Sequence, residues 1–224
     1  MRRGLALLAL ATAGLIAARG PDRVQPNPSA VIAAEIAFNR LAQEKGQWTA
    51  FRETAAKDAV MFVPQRVLAQ EWLKGRADPP RPVRWSPERV YVACDGNLAA
   101  STGSWRRPDG GVGYFTTIWR RDPKKERWRW IADHGDTLAA PRPAPEFLVG
   151  KVATCKRPQR RADMAPGPAA KGERPPEPPD DSLLWSADVA ADGSRTVAVS
   201  LWNGSGYDRV IEDKVAAPAP EGAS

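Results

Sequence analysis

Residues 111–136, GVGYFTTIWRRDPKKERWRWIADHGD, decide the fold. Two runs rich in aromatic and β-branched residues flank the polar segment DPKKE, which predicts two antiparallel strands joined by a turn. Side chains alternate between the two faces of a strand, so Trp128 and Trp130 share one face with Ala132 and His134. We expect this face to be the inner one and the intervening arginines to lie on the wetter face, a division that is common in half-buried antiparallel strands.

The segments before this hairpin are helical first and then alternate with a period of two. Ser29 is the predicted N-cap of a helix over AVIAAEIAFNRLAQEKG, in which apolar residues recur at helical spacing. Two shorter helices are predicted over residues 47–59 and 66–75, with a strand at 60–64 between them. From residue 82 onward several strands follow one another. Helices followed by an antiparallel meander indicate the α+β class.

The first 18 residues have the pattern of an export signal. Arg2 and Arg3 precede an apolar run over residues 4–18, which is shorter than the roughly 20 residues that a membrane-spanning helix needs. We expect cleavage near Ala18, a periplasmic or secreted location and no stable membrane span after processing. An uncleaved short membrane anchor is the alternative.

The charge of the chain does not favour a nucleic-acid partner. The formal net charge is +7, and it falls to +5, 31 basic against 26 acidic residues, once Arg2 and Arg3 leave with the signal. This excess is spread along the sequence, whereas nucleic-acid-binding proteins more often have a clustered basic patch or a recognisable motif. We therefore expect no nucleic acid among the partners.

Cys94 and Cys155 are the two cysteines of the chain. In an oxidising compartment they favour a disulfide, with two free buried cysteines as the alternative. Two distant cysteines and a single histidine are too few for a transition-metal site. The sequence also contains no phosphate-binding glycine loop and no HExxH or GxSxG motif. The prediction is that the protein uses neither a metal nor a cofactor.

The C-terminal third differs in composition from the rest. Residues 141–181 are rich in proline and lack an apolar period, which predicts an extended or disordered linker. Residues 182–215 contain three strand-like runs separated by turn signals. This piece is too short to fold alone, so we expect a β-meander extension that packs on the main domain through Trp185 and Trp202.

The order of the segments resembles a SnoaL-like domain of the nuclear transport factor 2-like and ketosteroid isomerase-like superfamily. Three stretches carry the resemblance: AEIAFNRLAQEKGQWTAFRETAAKDAVMFVP, WSPERVYVACDGNLAASTGSW and GYFTTIWRRDPKKERWRWIADHG. The resemblance implies a domain over residues 29–140 in which helices pack across a curved antiparallel sheet and leave a conical cavity. It also implies that the domain could form a homodimer. Members include isomerases, cyclases, hydratases and non-catalytic ligand binders.

Three ionisable side chains are candidate catalytic residues. His134, expected on the inner face with Asp136 two residues on, could be a general base or a polar contact for a ligand; the alternative is a hydrogen bond to the backbone at the rim of the sheet. Asp133 points away from His134 unless a bulge intervenes. The resemblance places Asp58 near the cavity as a second possible base, although a solvated helix end fits it equally. Phe38 stands on the helix that carries the ketosteroid isomerase tyrosine, so that oxyanion hole is not supported.

Aromatic side chains are the candidate walls of the cavity, with core packing as the alternative for each one. Two strand registers are open: either Tyr114 lies opposite His134, or Gly113 does and Trp119 then faces Trp128. The second register is slightly favoured because it gathers more apolar surface on one face. The candidate ligand-binding residues are Trp72, Trp85, Trp105, Tyr114, Trp119, Trp130 and His134.

Many aromatic residues and few well-placed ionisable groups favour an exported, non-catalytic module that binds a small apolar ligand or an envelope protein. A second hypothesis is a cofactor-free acid/base enzyme of the isomerase, cyclase or hydratase type that uses His134 or Asp58. A third is an interaction module whose C-terminal strands fill the cavity or pair with a partner. The third hypothesis predicts Trp185 or Trp202 inside the cavity.

Overall fold

The computed structural model describes residues 25–122, 125, 127–155 and 180–218. The predicted signal at 1–18 and the part of the linker at 156–179 lie outside the described residues. No helix among the described residues has both the length and the apolar character needed to cross a membrane. The helices are α1 (Pro28–Lys45), α2 (Gln47–Thr54) and α3 (Ala69–Leu73). The strands are β1 (Ala55–Phe62), β2 (Arg66–Leu68), β3 (Arg84–Val92), β4 (Leu98–Arg106), β5 (Val112–Asp122), β6 (Arg127–Leu138), β7 (Val149–Val152), β8 (Leu183–Val189), β9 (Arg195–Trp202) and β10 (Tyr207–Val215).

The architecture is the expected α+β fold, a curved and largely antiparallel sheet with N-terminal helices on one face. The sheet has seven strands in the order β2-β1-β6-β5-β4-β3-β7, of which the pairs β1–β6 and β3–β7 are parallel. The helices bury their apolar stripe against the inner face, where Phe38, Trp119 and Trp130 form the centre of one core. A second sheet, β10-β9-β8, covers the outer face.

Helix α1 begins and ends close to its predicted positions, with one difference at its N-cap. Asn27, rather than Ser29, is the N-cap of α1, and its side chain accepts the amide N–H of Ser29. Pro28 explains the earlier start, because a proline at the first helical position loses no hydrogen bond. Gly46 ends α1 at φ 107°, and a Cβ there would collide with the carboxyl group of Asp78. The chain therefore turns directly into α2.

Two helical predictions are wrong where the chain joins the sheet. Residues 55–59, expected to be the end of the second helix, are the first part of β1. Residues 66–68, expected to open the third helix, form β2 and pair with Phe62, Met61 and Val60. Strand pairing overrides helical propensity in both segments, because each lies next to a strand whose backbone groups need hydrogen-bond partners.

A β-bulge in β6 changes which side chains face the helices. Trp130 pairs with Trp119, whereas Ala132 pairs with Ile118, so that Ile131 is an extra residue. An extra residue inverts the alternation beyond it. Trp128 and Trp130 face the helices as predicted, but Ala132 and His134 face the second sheet. The predicted inner position of His134 is therefore wrong.

Both strand registers considered for this hairpin are also wrong. His134 lies opposite Thr116, and Tyr114 lies opposite Asp136. The length of the predicted turn alone could not fix this pairing, because the bulge adds one residue to β6 and none to β5. As a result, Trp119 and Trp130 become direct neighbours on the inner face.

The C-terminal strands pack on the outer face of the large sheet. Leu183, Val199 and Leu201 lie in one buried cluster with Tyr91 and Ile118. The prediction of an unstructured linker over 141–181 is wrong for residues 149–152, which form β7 and pair with β3 at the edge of the sheet. The chain then reaches the disulfide between Cys94 and Cys155, which ties the end of β7 to the turn after β3.

Candidate functional site

A cavity of about 420 Å³ opens between the helices and the inner face of the large sheet. Six aromatic residues line it, and several of their rings pack edge to face: the centroids of Phe38 and Trp85 are 4.8 Å apart, as are those of Phe38 and Phe51. Such contacts fix each ring against its neighbours. The aromatic residues that line the cavity are Phe38, Trp48, Phe51, Trp85, Trp105 and Phe115.

Asp133 is the carboxyl group of the cavity wall, and the bulge in β6 is what turns it inward. The Thr117 hydroxyl donates a hydrogen bond to its Oδ2 at 2.8 Å. Burial raises the pKa of Asp133 to about 7, the negative charge of Glu35 adds to this, and the Thr117 hydrogen bond opposes it. Protein surrounds the side chain while solvent still reaches it from the cavity. At neutral pH this group can therefore either donate or accept a hydrogen bond.

Glu35 lies behind the cavity wall and is 0% exposed. Its carboxyl group accepts hydrogen bonds from Trp85 Nε1 at 2.7 Å, Ser101 Oγ at 2.5 Å and Trp119 Nε1 at 3.1 Å. Burial raises the pKa of Glu35, and these three donors offset only part of that rise. Because Trp85 lines the cavity, Glu35 fixes the orientation of one wall.

The sequence contained a signal that Glu35 is buried. Val31, Glu35, Phe38 and Ala42 are the buried residues of α1, spaced by four, three and four positions. A carboxylate on the apolar stripe of a helix must find donors in the core. For Asp133 no such signal existed, because its orientation depends on the bulge.

The mouth of the cavity is polar. Arg107 donates to Thr137 Oγ1 at 2.8 Å, and its guanidinium lies 5.0 Å from the ring centre of Trp105. Trp105 in turn donates to the carbonyl of Tyr114. Its indole lies over Gly113, where a Cβ would collide with the ring. Asp136, one of the three catalytic candidates, borders this mouth and accepts the amide N–H of Thr137.

His134 is part of a buried polar cluster between the two sheets. Its residue borders the cavity, but its Nε2 lies 3.1 Å from Asp213 Oδ2 on β10. Asp213 also accepts from the Thr116 hydroxyl at 2.7 Å and from Arg142 at 2.8 Å. Burial lowers the pKa of His134, and Asp213 counteracts only part of this. The imidazole is therefore neutral and committed to Asp213, which removes it from the role of a base in the cavity.

Asp58 lies outside the cavity, because its segment is a strand rather than the end of a helix. Its carboxyl oxygens are 2.6 and 3.0 Å from the Arg120 guanidinium, and both side chains are exposed. The hydrogen bonds from Arg120 lower the pKa of Asp58. A solvated ion pair of this kind explains the residue, and the prediction of Asp58 as a cavity base is wrong.

The aromatic candidates divide into four groups. Trp85 and Trp105 line the cavity, whereas Trp119 and Trp130 are buried in the adjoining core. Tyr114 faces the outer side, where the Arg142 guanidinium lies 3.4 Å from its ring centre. Trp72 packs on Trp48 from outside the cavity, at a centroid distance of 5.4 Å.

The C-terminal strands do not enter the cavity. Trp185 packs against the cluster between the sheets, and the ring of Trp202 lies 5.1 Å from that of Tyr207. Neither tryptophan is among the cavity-lining residues. This placement contradicts the hypothesis that the extension fills the cavity. In the part of the chain that the structure describes, no group of three or more His, Cys, Asp or Glu residues could hold a metal ion.

Solved structures with partial similarity to this chain include three of bacterial origin. The chain is similar to an NTF2-like protein of unknown function from Shewanella baltica, with 12% identity over 52% of this chain and 100% of that one, and a TM-score of 0.38. It is also similar to an NTF2-like protein of unknown function from Silicibacter pomeroyi (15% identity, 50% and 99% covered, TM-score 0.37). A third is a cystatin-like fold protein from Burkholderia xenovorans (16% identity, 50% and 92% covered, TM-score 0.40). No protein-family model and no curated protein matches the chain. Identities this low concern the fold alone.

Proposed function

We propose that this chain binds a small, largely apolar molecule in the aromatic cavity and orients it with Asp133. The observation that carries the proposal is a cavity of about 420 Å³ whose lining combines six aromatic residues with the solvent-reachable carboxyl group of Asp133. Ligand sites commonly combine an apolar lining with a few fixed polar groups. The Thr117 hydrogen bond to Asp133 and the packed rings supply that fixed arrangement.

Acid/base catalysis is the second candidate, and one observation favours it. The pKa of Asp133 is raised to about 7 by burial, and a general base is most effective when its pKa lies near the working pH. In this version Asp133 takes the role that the sequence assigned to His134 or Asp58. A carboxylate in an apolar cavity is suited to moving a proton next to a carbonyl group, as isomerases, cyclases and hydratases do.

We also propose that the protein works outside the cytoplasm, in the periplasm or secreted. The Cys94–Cys155 disulfide supports this proposal, because disulfides persist in oxidising compartments. For the assembly we expect a monomer, since β8–β10 already cover the face of the large sheet opposite the helices.

Native mass spectrometry of the mature protein from its own host tests these proposals together. We expect a monomeric mass that carries a bound small molecule and a chain that begins near residue 19. Asp133→Ala should lose the bound molecule, whereas the exposed matched control Asp58→Ala should retain it. A spectrum with no bound molecule, or with a second chain or an envelope protein in its place, would contradict the ligand-binding proposal. Turnover of the released molecule by the wild type, and not by Asp133→Ala, would favour the catalytic candidate.

A further inference from the structure

We propose that the ligand is an organic cation, such as a hydrophobic amine or a quaternary ammonium compound, held between the aromatic rings and Asp133. This inference rests on the proposed function and narrows it to one class of ligand. It follows from the charges, the hydrogen-bond donors and the ring faces that surround the cavity.

Carboxyl groups are the ionisable groups of the inner part of the cavity. The charged residues that border it are Asp133, Asp136 and Arg107. Arg107 is exposed at the mouth, where it donates to Thr137. Asp133 lies on the sheet wall, and the buried carboxyl group of Glu35 acts on it from behind. A cation placed against Asp133 would therefore relieve an unfavourable interaction between two carboxyl groups.

The two indole N–H donors of the wall, and the Thr117 hydroxyl beside it, are already occupied and are therefore not available to an anion. Trp85 Nε1 donates to Glu35, and Trp105 Nε1 donates to the Tyr114 carbonyl. The Thr117 hydroxyl donates to Asp133. An anionic ligand would need such donors and would also meet the carboxyl group of Asp133. Asp133 Oδ1 takes no hydrogen bond from any described residue, which leaves it to a ligand.

The aromatic wall supplies the second attraction that a cation needs. The faces of aromatic rings carry negative charge density and attract ammonium groups, most strongly in tryptophan. In an edge-to-face pair such as Phe38–Trp85, with an interplanar angle of 73°, the edge of one ring covers one face of the other, and the remaining ring faces are not covered by that partner. A cavity lined by aromatic residues with a carboxyl group in its wall matches a cation with an apolar body.

The proton balance of this binding has a definite sign. A cation favours the ionised form of Asp133, so its binding releases a proton wherever the free protein holds one. Burial raises the pKa of Asp133 to about 7, so affinity for a permanent cation should fall as the pH drops below 7. A neutral ligand that accepts a hydrogen bond from protonated Asp133 would show the opposite dependence.

Tryptophan fluorescence titrations of the purified chain test the inference. The probes are phenyltrimethylammonium and its uncharged isostere, tert-butylbenzene. We expect the cation to bind at least about tenfold more tightly at pH 8, and its affinity to drop about tenfold between pH 8 and pH 6, as titration of one group predicts. Affinity for tert-butylbenzene should not change with pH in this way.

Two variants separate the outcomes. Asp133→Asn keeps the shape of the side chain and should abolish both the preference for the cation and its pH dependence; the exposed control Asp58→Asn should preserve both. Equal or tighter binding of tert-butylbenzene to the wild type overturns the cation inference and leaves the ligand-binding proposal standing. Failure of both probes to bind at either pH counts against both. The wild-type pH dependence decides the matter even when the Asp133 variant does not fold.

Discussion

The position of Asp133 favours its neutral form, and this has a cost for stability at high pH. Its pKa is raised from 3.8 to about 7 in the folded protein, chiefly by burial. Between these two values the native state binds more protons than the unfolded state, so the contribution of Asp133 to the free energy of unfolding is full below pH 3.8 and is lost as the pH rises to 7.

We predict that Asp133→Asn stabilises the protein at pH 8 and not at pH 4. The amide cannot ionise, and the gain at pH 8 should be about 2 kcal/mol once solvent in the cavity is allowed for. Thermal denaturation of both proteins at the two pH values measures this difference. An equal shift at pH 4 and pH 8 would contradict the pKa assigned to Asp133.

Glu35 has a different consequence, because its carboxyl group is the common acceptor of three donors. We predict that Glu35→Leu leaves Trp85 Nε1, Ser101 Oγ and Trp119 Nε1 without this acceptor and lowers the free energy of unfolding by about 3 kcal/mol. Urea denaturation measures the loss. Glu44→Leu on the exposed side of α1 is the matched control and should change stability by less than about 0.5 kcal/mol.

At the scale of elements, one hydrogen-bonded cluster joins β6 to β10. His134 and Asp213 are both 1% exposed at their side chains. Burial opposes ionisation of Asp213, but the hydrogen bonds from His134, Arg142 and Thr116 outweigh it and lower the pKa of this carboxyl group. The cluster therefore fixes the second sheet to the first through polar contacts as well as apolar ones.

The cluster gives a prediction for the only histidine in the chain. The imidazole should titrate below its ordinary pKa of 6.5 in an NMR titration, because burial disfavours its charged form. Asp213→Asn should lower that pKa further and cost about 2 kcal/mol of stability, since the hydrogen bonds from His134, Thr116 and Arg142 lose a charged acceptor. Glu212→Gln, an exposed change on the same strand, should leave both quantities unaltered. A histidine pKa above 6.5 in the wild type would contradict the buried arrangement.

The pH dependence caused by His134 has the opposite sign to that of Asp133. With its folded pKa lowered, the unfolded state takes up the proton first. This contribution to stability is full above pH 6.5 and is lost as the pH falls through the folded pKa. The two residues are adjacent in sequence, but their side chains lie on opposite faces of the sheet and therefore titrate in different surroundings.

For the whole molecule, the alternation of the sequence was enough to predict the fold class. Helical spacing located α1, and alternating runs located β4, β5 and β6. The short elements were less predictable. Residues 66–68 and 149–152 form strands only because neighbouring strands offer them free backbone groups. Local sequence does not contain that information.

The candidate site was predicted less well, for a physical reason. Trp85 and Trp105 are the two that line the cavity among the six aromatic residues that were candidates for its wall, with core packing as the alternative for each. The ionisable residue was missed, because a bulge costs little and carries no fixed sequence signature in β6. Alternation in a sequence predicts which side chains share a face of a strand only as far as the first bulge.

Ile131 thus sets the chemistry of a cavity in which it does not itself take part. If β6 instead paired with β5 without a bulge and kept Ile131, strict alternation would place an imidazole at the wall in place of an acid, whereas deletion of Ile131 would leave Asp133 opposite Thr117. Relatives of this chain in which Ile131 pairs regularly should accordingly differ in the kind of molecule they accept, even when every residue around the cavity is the same.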